Sequence, residues 1–225
     1  MQHSEDARTL AESMVRVGTE LGIDVVAQLT QMDHPIGCML GNSHEIVETI
    51  DCLKGAGPHD TMELVHAQAN ALGFDITEAI SNGSALNEFK SMLERQGVDS
   101  SIAQQLIDDP WSVLTRAPQQ YTLHAEQSGF IADLDAHVIG QVLCEAGAGR
   151  SVQGAEIHHG IGIKIHHHIG SKVEEGDAIL TMDGPFGIDV QLIQRLKNSI
   201  TISDYQVATS SRILETVTIS DCSTT

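Results

Sequence analysis

The segment Ile169-Gly-Ser-Lys-Val-Glu-Glu-Gly-Asp-Ala-Ile-Leu-Thr-Met182 carries the strongest fold signal in the chain. Gly170 and Gly176 each provide a residue for a tight turn, and a short apolar run follows the second one. Glycine suits turns that need a positive φ, because it has no Cβ. Short apolar runs bounded by such turns predict a β-hairpin. We interpret this hairpin as one of the barrel-sandwich type.

The same hairpin shape occurs in biotinyl and lipoyl carrier domains, which need a lysine at the following hairpin tip to hold the swinging arm. Here that tip reads Met182-Asp-Gly-Pro-Phe-Gly187, and no lysine occurs between residues 173 and 196. The sequence therefore excludes a carrier function, and only the prediction of a barrel-sandwich hairpin remains.

Further apolar runs, separated by glycine, predict strands around this hairpin. The predicted strands are Tyr121–His124, Gly129–Ala132, Val138–Leu143, Gly160–Ile165, Ala178–Met182 and Ser199–Ser203. One helix is predicted over Ile188–Lys197. Strands of this length and spacing are typical of a compact β-rich or α+β unit.

The first half of the chain is predicted to be mostly helical, because its apolar residues recur at helical spacing. The predicted helices are Ala7–Leu21, a helix with Asn42 as its N-cap and Glu45 as its capping-box partner, Met62–Leu72 and Ser84–Gln96. Val25–Met32 is predicted to be a short extended segment.

Together these patterns predict a protein of the α/β (α+β) class. Residues 1–116 form a mostly helical region, residues 117–205 a β-rich, barrel-sandwich-like α+β domain, and residues 206–225 a C-terminal tail.

The charge of the chain excludes two classes of partner. Its 225 residues include 12 Lys and Arg against 31 Asp and Glu, a net charge of −19. Nucleic-acid backbones and anionic membrane surfaces both attract clustered basic residues, so neither partner is expected. The four cysteines are scattered, which indicates free thiols. With no signal-like N-terminus, the expected location is cytoplasmic.

The histidine-rich stretch from His158 to His168 raises the hypothesis of a metal site. On a strand, Lys164 would share a face with His158, His166 and His168, and its charge would oppose a divalent cation. The alternative is a set of solvated histidines on a strand surface. The sequence leaves the choice open.

The turn Gly147-Ala-Gly-Arg-Ser151 is a candidate anion cradle, because exposed backbone N–H groups and a guanidinium suit phosphate. A tight turn between strands would need the same glycines. Elsewhere no Gly-x-Ser-x-Gly, Walker loop or post-strand Gly-x-Gly-x-x-Gly is present.

Read in order, several segments resemble the C-terminal half of the thymidine and pyrimidine-nucleoside phosphorylases. They are Glu5-Asp-Ala-Arg8, Leu10–Val15, Met32-Asp-His-Pro-Ile-Gly37, Gly41–Ile50, Leu53-Lys-Gly-Ala-Gly-Pro58, Asn82–Leu86, Gly129-Phe-Ile131, Gly147–Ser151 and the Gly170–Gly176 hairpin. The Gly-Ala-Gly-Arg-Ser form of the turn is closer to animal-type thymidine phosphorylases.

This resemblance implies reversible phosphorolysis of thymidine or uridine to the base and (2-deoxy)ribose 1-phosphate, in pyrimidine salvage. Inorganic phosphate is the co-substrate, no cofactor is required, and family members are homodimers. The turn with Gly147, Gly149, Arg150 and Ser151 would be a cleft-closing loop.

The resemblance also implies a monovalent cation, potassium, held by the carbonyls of Ile36 and Met39 and the carboxylate of Glu48. The alternative is that Glu48 is a solvated or hinge-packing carboxylate.

The family's phosphate-binding and base-binding motifs have no match in residues 1–225. No catalytic residue is therefore assigned here, and the chain alone is expected to be inactive, because the groups that stabilise the transition state are missing. The alternative function is a non-catalytic assembly or binding protein that reuses the fold.

Overall fold

The computed structural model describes residues 3–150 and 153–222 of the chain. The helices are α1 Ser4–Glu20, α2 Asn42–Leu53, α3 His59–Ala71, α4 Thr77–Ser81, α5 Ser84–Arg95, α6 Ser100–Asp108, α7 Ala136–Leu143 and α8 Val190–Asn198. The strands are β1 Ala27–Thr30, β2 Met39–Leu40, β3 Gln119–His124, β4 Gly129–Leu134, β5 Gly162–Ile165, β6 Lys172–Val173, β7 Ala178–Gly184, β8 Ile200–Ser203 and β9 Ile213–Val217. This mixture confirms the predicted fold class.

The strands form three antiparallel sheets with the orders β1-β9, β2-β5-β7-β3 and β6-β4-β8. The main core contains buried side chains from the two larger sheets and from α7 and α8, among them Ile131, Leu134, Ile163, Leu180 and Leu196. This core is aliphatic, as expected from an aromatic content of 3%.

Two strand pairs cross the predicted domain boundaries. Strand β2, from the helical half, pairs with β5, and β9, from the predicted tail, pairs with β1 in the register Ala27↔Val217. The extended segment predicted near β1 is confirmed, whereas no strand was predicted in the tail. The boundaries at residues 116 and 205 stay predictions.

Helix α1 buries a narrow stripe made of Ala11, Val15 and Gly18, which packs with Val217 of β9. Leu10, Met14 and Val17 of this helix are exposed, as is Leu21 directly after it. None of the helices in the described ranges is long and apolar enough to cross a membrane.

The strand predicted over Val138–Leu143 is wrong, because this segment is helix α7. The Asp135 side chain accepts a hydrogen bond from the N–H of Val138 and so caps a helix start. Ile139, Val142 and Leu143 are then buried together on one helical face. Burial of that face outweighs the β-propensity of valine and isoleucine.

The turn between Gly170 and Gly176 is present, but the predicted hairpin is wrong, because its two strands lie in different sheets. Strand β6 pairs with β4, whereas β7 pairs with β3 and β5. The Gly176 N–H donates to the Ala125 carbonyl, and the Ala125 N–H donates to the backbone carbonyl of Asp177. These bonds direct the chain from one sheet to the other.

The predicted cap of α2 is shifted by one residue. Gly41, with φ 107°, is the N-cap, and the Glu45 carboxylate accepts its N–H at 2.9 Å. A Cβ on Gly41 would lie 2.6 Å from the Ile161 carbonyl oxygen, so β5 packs directly on this backbone. The Asn42 side chain is thereby free for a contact elsewhere.

Candidate functional site

The segment between β1 and α2, which includes the short strand β2, is organised by one carboxylate on the helix that follows it. Glu48 Oε1 accepts the backbone N–H of Cys38 at 2.5 Å and that of Met39 at 3.0 Å. The Cys38 carbonyl in turn accepts a hydrogen bond from the backbone N–H of Ile165 in β5. Helix α2 thus holds the loop from one side, and the sheet holds it from the other.

Glu48 is only 8% exposed, so its carboxylate is not a solvated one. Burial is the largest effect on its pKa and raises it, while the two backbone N–H bonds work in the opposite direction. Among the described residues no Lys, Arg or His side chain forms an ion pair with Glu48.

The backbone at Gly37 lies against this carboxylate. Gly37 has φ 72°, and a Cβ there would overlap the Glu48 side chain and stand 2.9 Å from Thr61 Oγ1. Its N–H lies 3.3 Å from both oxygens of Asp60. The loop therefore approaches two carboxylates and one hydroxyl at a position that only glycine allows.

This donor set fits the cation expected from the resemblance. Glu48 accepts the backbone N–H of Met39, so its carboxylate lies at the loop that carries Ile36 and Met39, and the ligands that the resemblance implies are all oxygens. An oxygen environment with a single carboxylate matches a hard cation better than a transition metal.

Arg212 holds the beginning of the same segment through hydrogen bonds. Arg212 donates to the carbonyls of His34 at 3.2 Å and Pro35 at 2.6 Å, and to Asp60 Oδ2 at 2.8 Å. Its side chain is 11% exposed. Glu63 accepts the Arg212 backbone N–H and the Ser211 hydroxyl. The segment after α8 is therefore attached to the loop that carries Ile36.

The candidate closing loop begins directly after α7, in a turn over Cys144–Ala148 that is kinked at Gly147. Gly147, with φ 110°, accepts the N–H of His158 at 2.9 Å, and a Cβ on it would meet that histidine ring. The Asn42 side chain donates to the Ala148 carbonyl at 2.9 Å. Gly149 lies on Cys144, Arg150 is exposed, and Ser151 lies outside the described residues.

Helix α2 therefore contacts both candidate sites. Asn42 bonds to the closing loop and Glu48 to the candidate cation loop, and these two residues are six positions apart on the helix, about 9 Å along its axis. The structure connects the two sites through one rigid element, although it does not bring their side chains together.

The histidine stretch is divided among different environments. Only Gly162–Ile165 is a strand; beyond it, His166 contacts the Thr181 hydroxyl and His168 Nε2 lies 3.1 Å from Cys38 Sγ. Burial lowers the pKa of His168. In residues 3–150 and 153–222, no group of three or more His, Cys, Asp and Glu is placed to hold a metal ion.

A polar cluster around the buried Asp183 joins α2 to the four-stranded sheet. His44 Nε2 lies 2.9 Å from Asp183 Oδ2, and both side chains are at most 2% exposed. Arg116 and Gln120 also donate to Asp183, at 2.5 and 2.9 Å. The Trp111 ring contacts His44 edge-on and Arg116 through its face.

Comparison with known proteins finds similarity to one family of enzymes. Residues 130–203 match the family model described as the pyrimidine nucleoside phosphorylase C-terminal domain. Pyrimidine-nucleoside phosphorylases of Staphylococcus aureus strains USA300 and NCTC 8325 / PS 47 are each 35% identical to the chain over 224 residues. That alignment covers 92% of this chain and 50% of each relative.

The chain is therefore similar to the pyrimidine-nucleoside phosphorylases, and its residues 130–203 match the C-terminal domain of that family. It spans about half the length of the curated relatives it matches. The closer resemblance to animal-type thymidine phosphorylases stays a prediction.

The phosphorylase domain match includes the closing-loop glycines and most of the main core, whereas the Glu48 loop lies before it. Sequence reasoning reached Ile36, Met39 and Glu48 only through the resemblance to phosphorylases. It missed Asp60, Thr61 and Arg212. Arg212 is 178 residues from its partner His34, and a single arginine in a polar segment gives no signal of such a contact.

Proposed function

We propose that this chain takes part in reversible phosphorolysis of a pyrimidine nucleoside, thymidine or uridine. Inorganic phosphate attacks the anomeric carbon, the bond to the base breaks, and free base and (2-deoxy)ribose 1-phosphate are formed. The reaction is a pentosyl transfer. The single observation that supports this function is the 35% identity to pyrimidine-nucleoside phosphorylases over 92% of the chain.

In this proposal the chain is the scaffold and the closing loop of the enzyme. Phosphorolysis needs cationic groups around the phosphate and hydrogen-bond donors for the departing base. Six of the seven arginines form ion pairs with carboxylates in the described structure; they are Arg8, Arg16, Arg95, Arg116, Arg195 and Arg212. The seventh, Arg150, is the exposed guanidinium of the glycine loop and is the one we assign to the closed cleft.

The proposal includes a potassium ion bound by the carbonyls of Ile36 and Met39 and by Glu48. It would supply the positive charge that the buried carboxylate lacks and would stiffen the loop before α2. No other cofactor is required, and the protein is expected in the cytoplasm; the homodimer belongs to the family, and the oligomeric state of this chain is left open.

The isolated chain should not catalyse the reaction, because nothing in it matches the phosphate- and base-binding motifs of the family. The test is release of thymine from thymidine, or of uracil from uridine, by the purified 225-residue chain with and without phosphate. We expect no release above the protein-free blank. Phosphate-dependent release would contradict this assignment of roles.

A second candidate function is assembly with a full-length phosphorylase without catalysis. The exposed apolar residues Leu10, Met14 and Val17 of α1, with Leu21 directly after it, favour this function. Light scattering of the chain alone and mixed with a full-length relative distinguishes a monomer, a homodimer and a mixed complex.

A further inference from the structure

One buried hydroxyl next to Glu48 has no hydrogen-bond partner. Thr61 Oγ1, in the first turn of α3, is inaccessible to solvent and makes no hydrogen bond within the described residues. A buried hydroxyl without a partner is destabilising, and such groups are uncommon in native proteins. The position of this oxygen therefore needs an explanation.

The unpartnered hydroxyl and the Glu48 carboxylate converge on the same small space. Around the point where a Cβ on Gly37 would stand, Glu48 Cδ lies at 2.8 Å and Thr61 Oγ1 at 2.9 Å, and Glu48 Oε2 is closer still. Both backbone N–H bonds to Glu48 end on Oε1, and Oε2 is the oxygen that lies next to Gly37.

The charges around this space favour a cation. Asp60 already binds Arg212 and the N–H groups of Gly37 and Thr61. Glu48 is buried and has no cationic side chain paired with it in the described structure. A buried carboxylate without a counter-charge is costly, and a hydroxyl can offer only its oxygen to a cation.

We propose that Thr61 Oγ1 is an oxygen ligand of the monovalent cation bound by Glu48. This inference rests on the cation proposed above and adds to it a ligand from α3. The cation would then contact α2 through Glu48, α3 through Thr61 and the intervening loop through its carbonyls. One ion would satisfy both the unpaired charge and the unpaired hydroxyl.

The test is thermal unfolding of the chain in potassium chloride against choline chloride at equal ionic strength. The variants are Glu48→Gln, Thr61→Val, which keeps the shape and removes the oxygen, and Thr61→Ser, which restores it. Thr9→Val on α1 is the matched control, because the Thr9 hydroxyl is exposed and bonds only to the Glu5 carbonyl.

We expect potassium to raise the unfolding temperature of the wild type and of Thr9→Val, and to have no effect on Glu48→Gln. Thr61→Val should need about tenfold more potassium for half of the shift, which corresponds to the loss of about 1.4 kcal/mol of binding free energy. Thr61→Ser should recover most of the wild-type response. In choline, Thr61→Val should be at least as stable as the wild type, because no unpaired hydroxyl remains.

Two outcomes overturn the inference, and they are distinguishable. If Glu48→Gln abolishes the response while Thr61→Val responds like the wild type, the cation is present and Thr61 does not bind it. If the wild type itself does not respond, the proposed potassium site fails together with its added ligand, and the phosphorolysis proposal is untouched.

Discussion

Gly37 is the residue on which the packing of the Glu48 loop depends. A left-handed φ costs a residue with a Cβ roughly 1 kcal/mol, and here the Cβ would also displace a buried carboxylate with two backbone bonds. We expect Gly37→Ala to lower the free energy of unfolding by about 2–4 kcal/mol, measured by urea denaturation.

The control for this substitution is Gly22→Ala. Gly22 has a similar φ of 74°, and nothing lies within 4 Å of its added Cβ, so only the backbone term of roughly 1 kcal/mol remains. Equal losses in the two variants would show that the contact with Glu48 and Thr61 has no energetic effect.

His44 should make the stability depend on pH in a defined direction. Burial lowers its pKa from 6.5, against the opposing influence of Asp183 and Glu45, while Arg116 adds to the lowering. Below about pH 6.5 the unfolded chain takes up a proton at His44 that the native chain does not, so stability falls as the pH decreases.

The pH dependence can be assigned to His44 by substitution. We expect His44→Gln to lose less stability than the wild type between pH 7 and pH 5, as measured by urea denaturation at each pH. The exposed His137 provides the control variant, His137→Gln, which should keep the wild-type slope. Identical slopes for the wild type and His44→Gln would refute the assignment.

Among the elements, helix α2 is the one that connects the candidate cation loop to the candidate closing loop. Removing the Asn42 side chain deletes its bond to the Ala148 carbonyl without touching Glu48. We expect Asn42→Ala to accelerate backbone amide hydrogen exchange in residues 144–150 by roughly fivefold, the loss of about 1 kcal/mol.

The matching control is Asn87→Ala on α5, where the side chain is exposed and no hydrogen bond of that side chain is recorded in the described structure. In the Asn87→Ala variant, backbone amide hydrogen exchange in residues 144–150 should stay at the wild-type rate. An Asn42→Ala variant with unchanged exchange would mean that the loop is held by its glycines and His158 alone.

Some helices and strands could be predicted from the sequence and others could not. Helices with a clear apolar period, such as α5 and α8, and glycine-bounded strands such as β7 were predicted within a few residues. Helix α7 was not, because valine and isoleucine favour strands locally and only burial on the finished core selects the helix. The pairing of β6 with β4 depends equally on contacts distant in sequence.

At the scale of the whole molecule, the two ends of the described chain meet. Strand β9 pairs with β1, and Arg212 holds the carbonyls just before Ile36, so the last segment supports the loop nearest the beginning. Local patterns contain no information about such contacts. The candidate cation residues could therefore be identified by family resemblance, whereas the contacts of Thr61, Asp60 and Arg212 could be identified only from the structure.

The central proposal is that this chain is the scaffold of a pyrimidine-nucleoside phosphorylase, and that the residues that carry out the chemistry are not among its 225 residues. The most direct measurement replaces the matching segment of the Staphylococcus aureus USA300 phosphorylase with this chain and follows phosphate-dependent release of base from thymidine and uridine. The account predicts release by the chimera and none by the chain alone. A chimera that unfolds cooperatively like the parent enzyme, yet releases no base from either nucleoside, would contradict it.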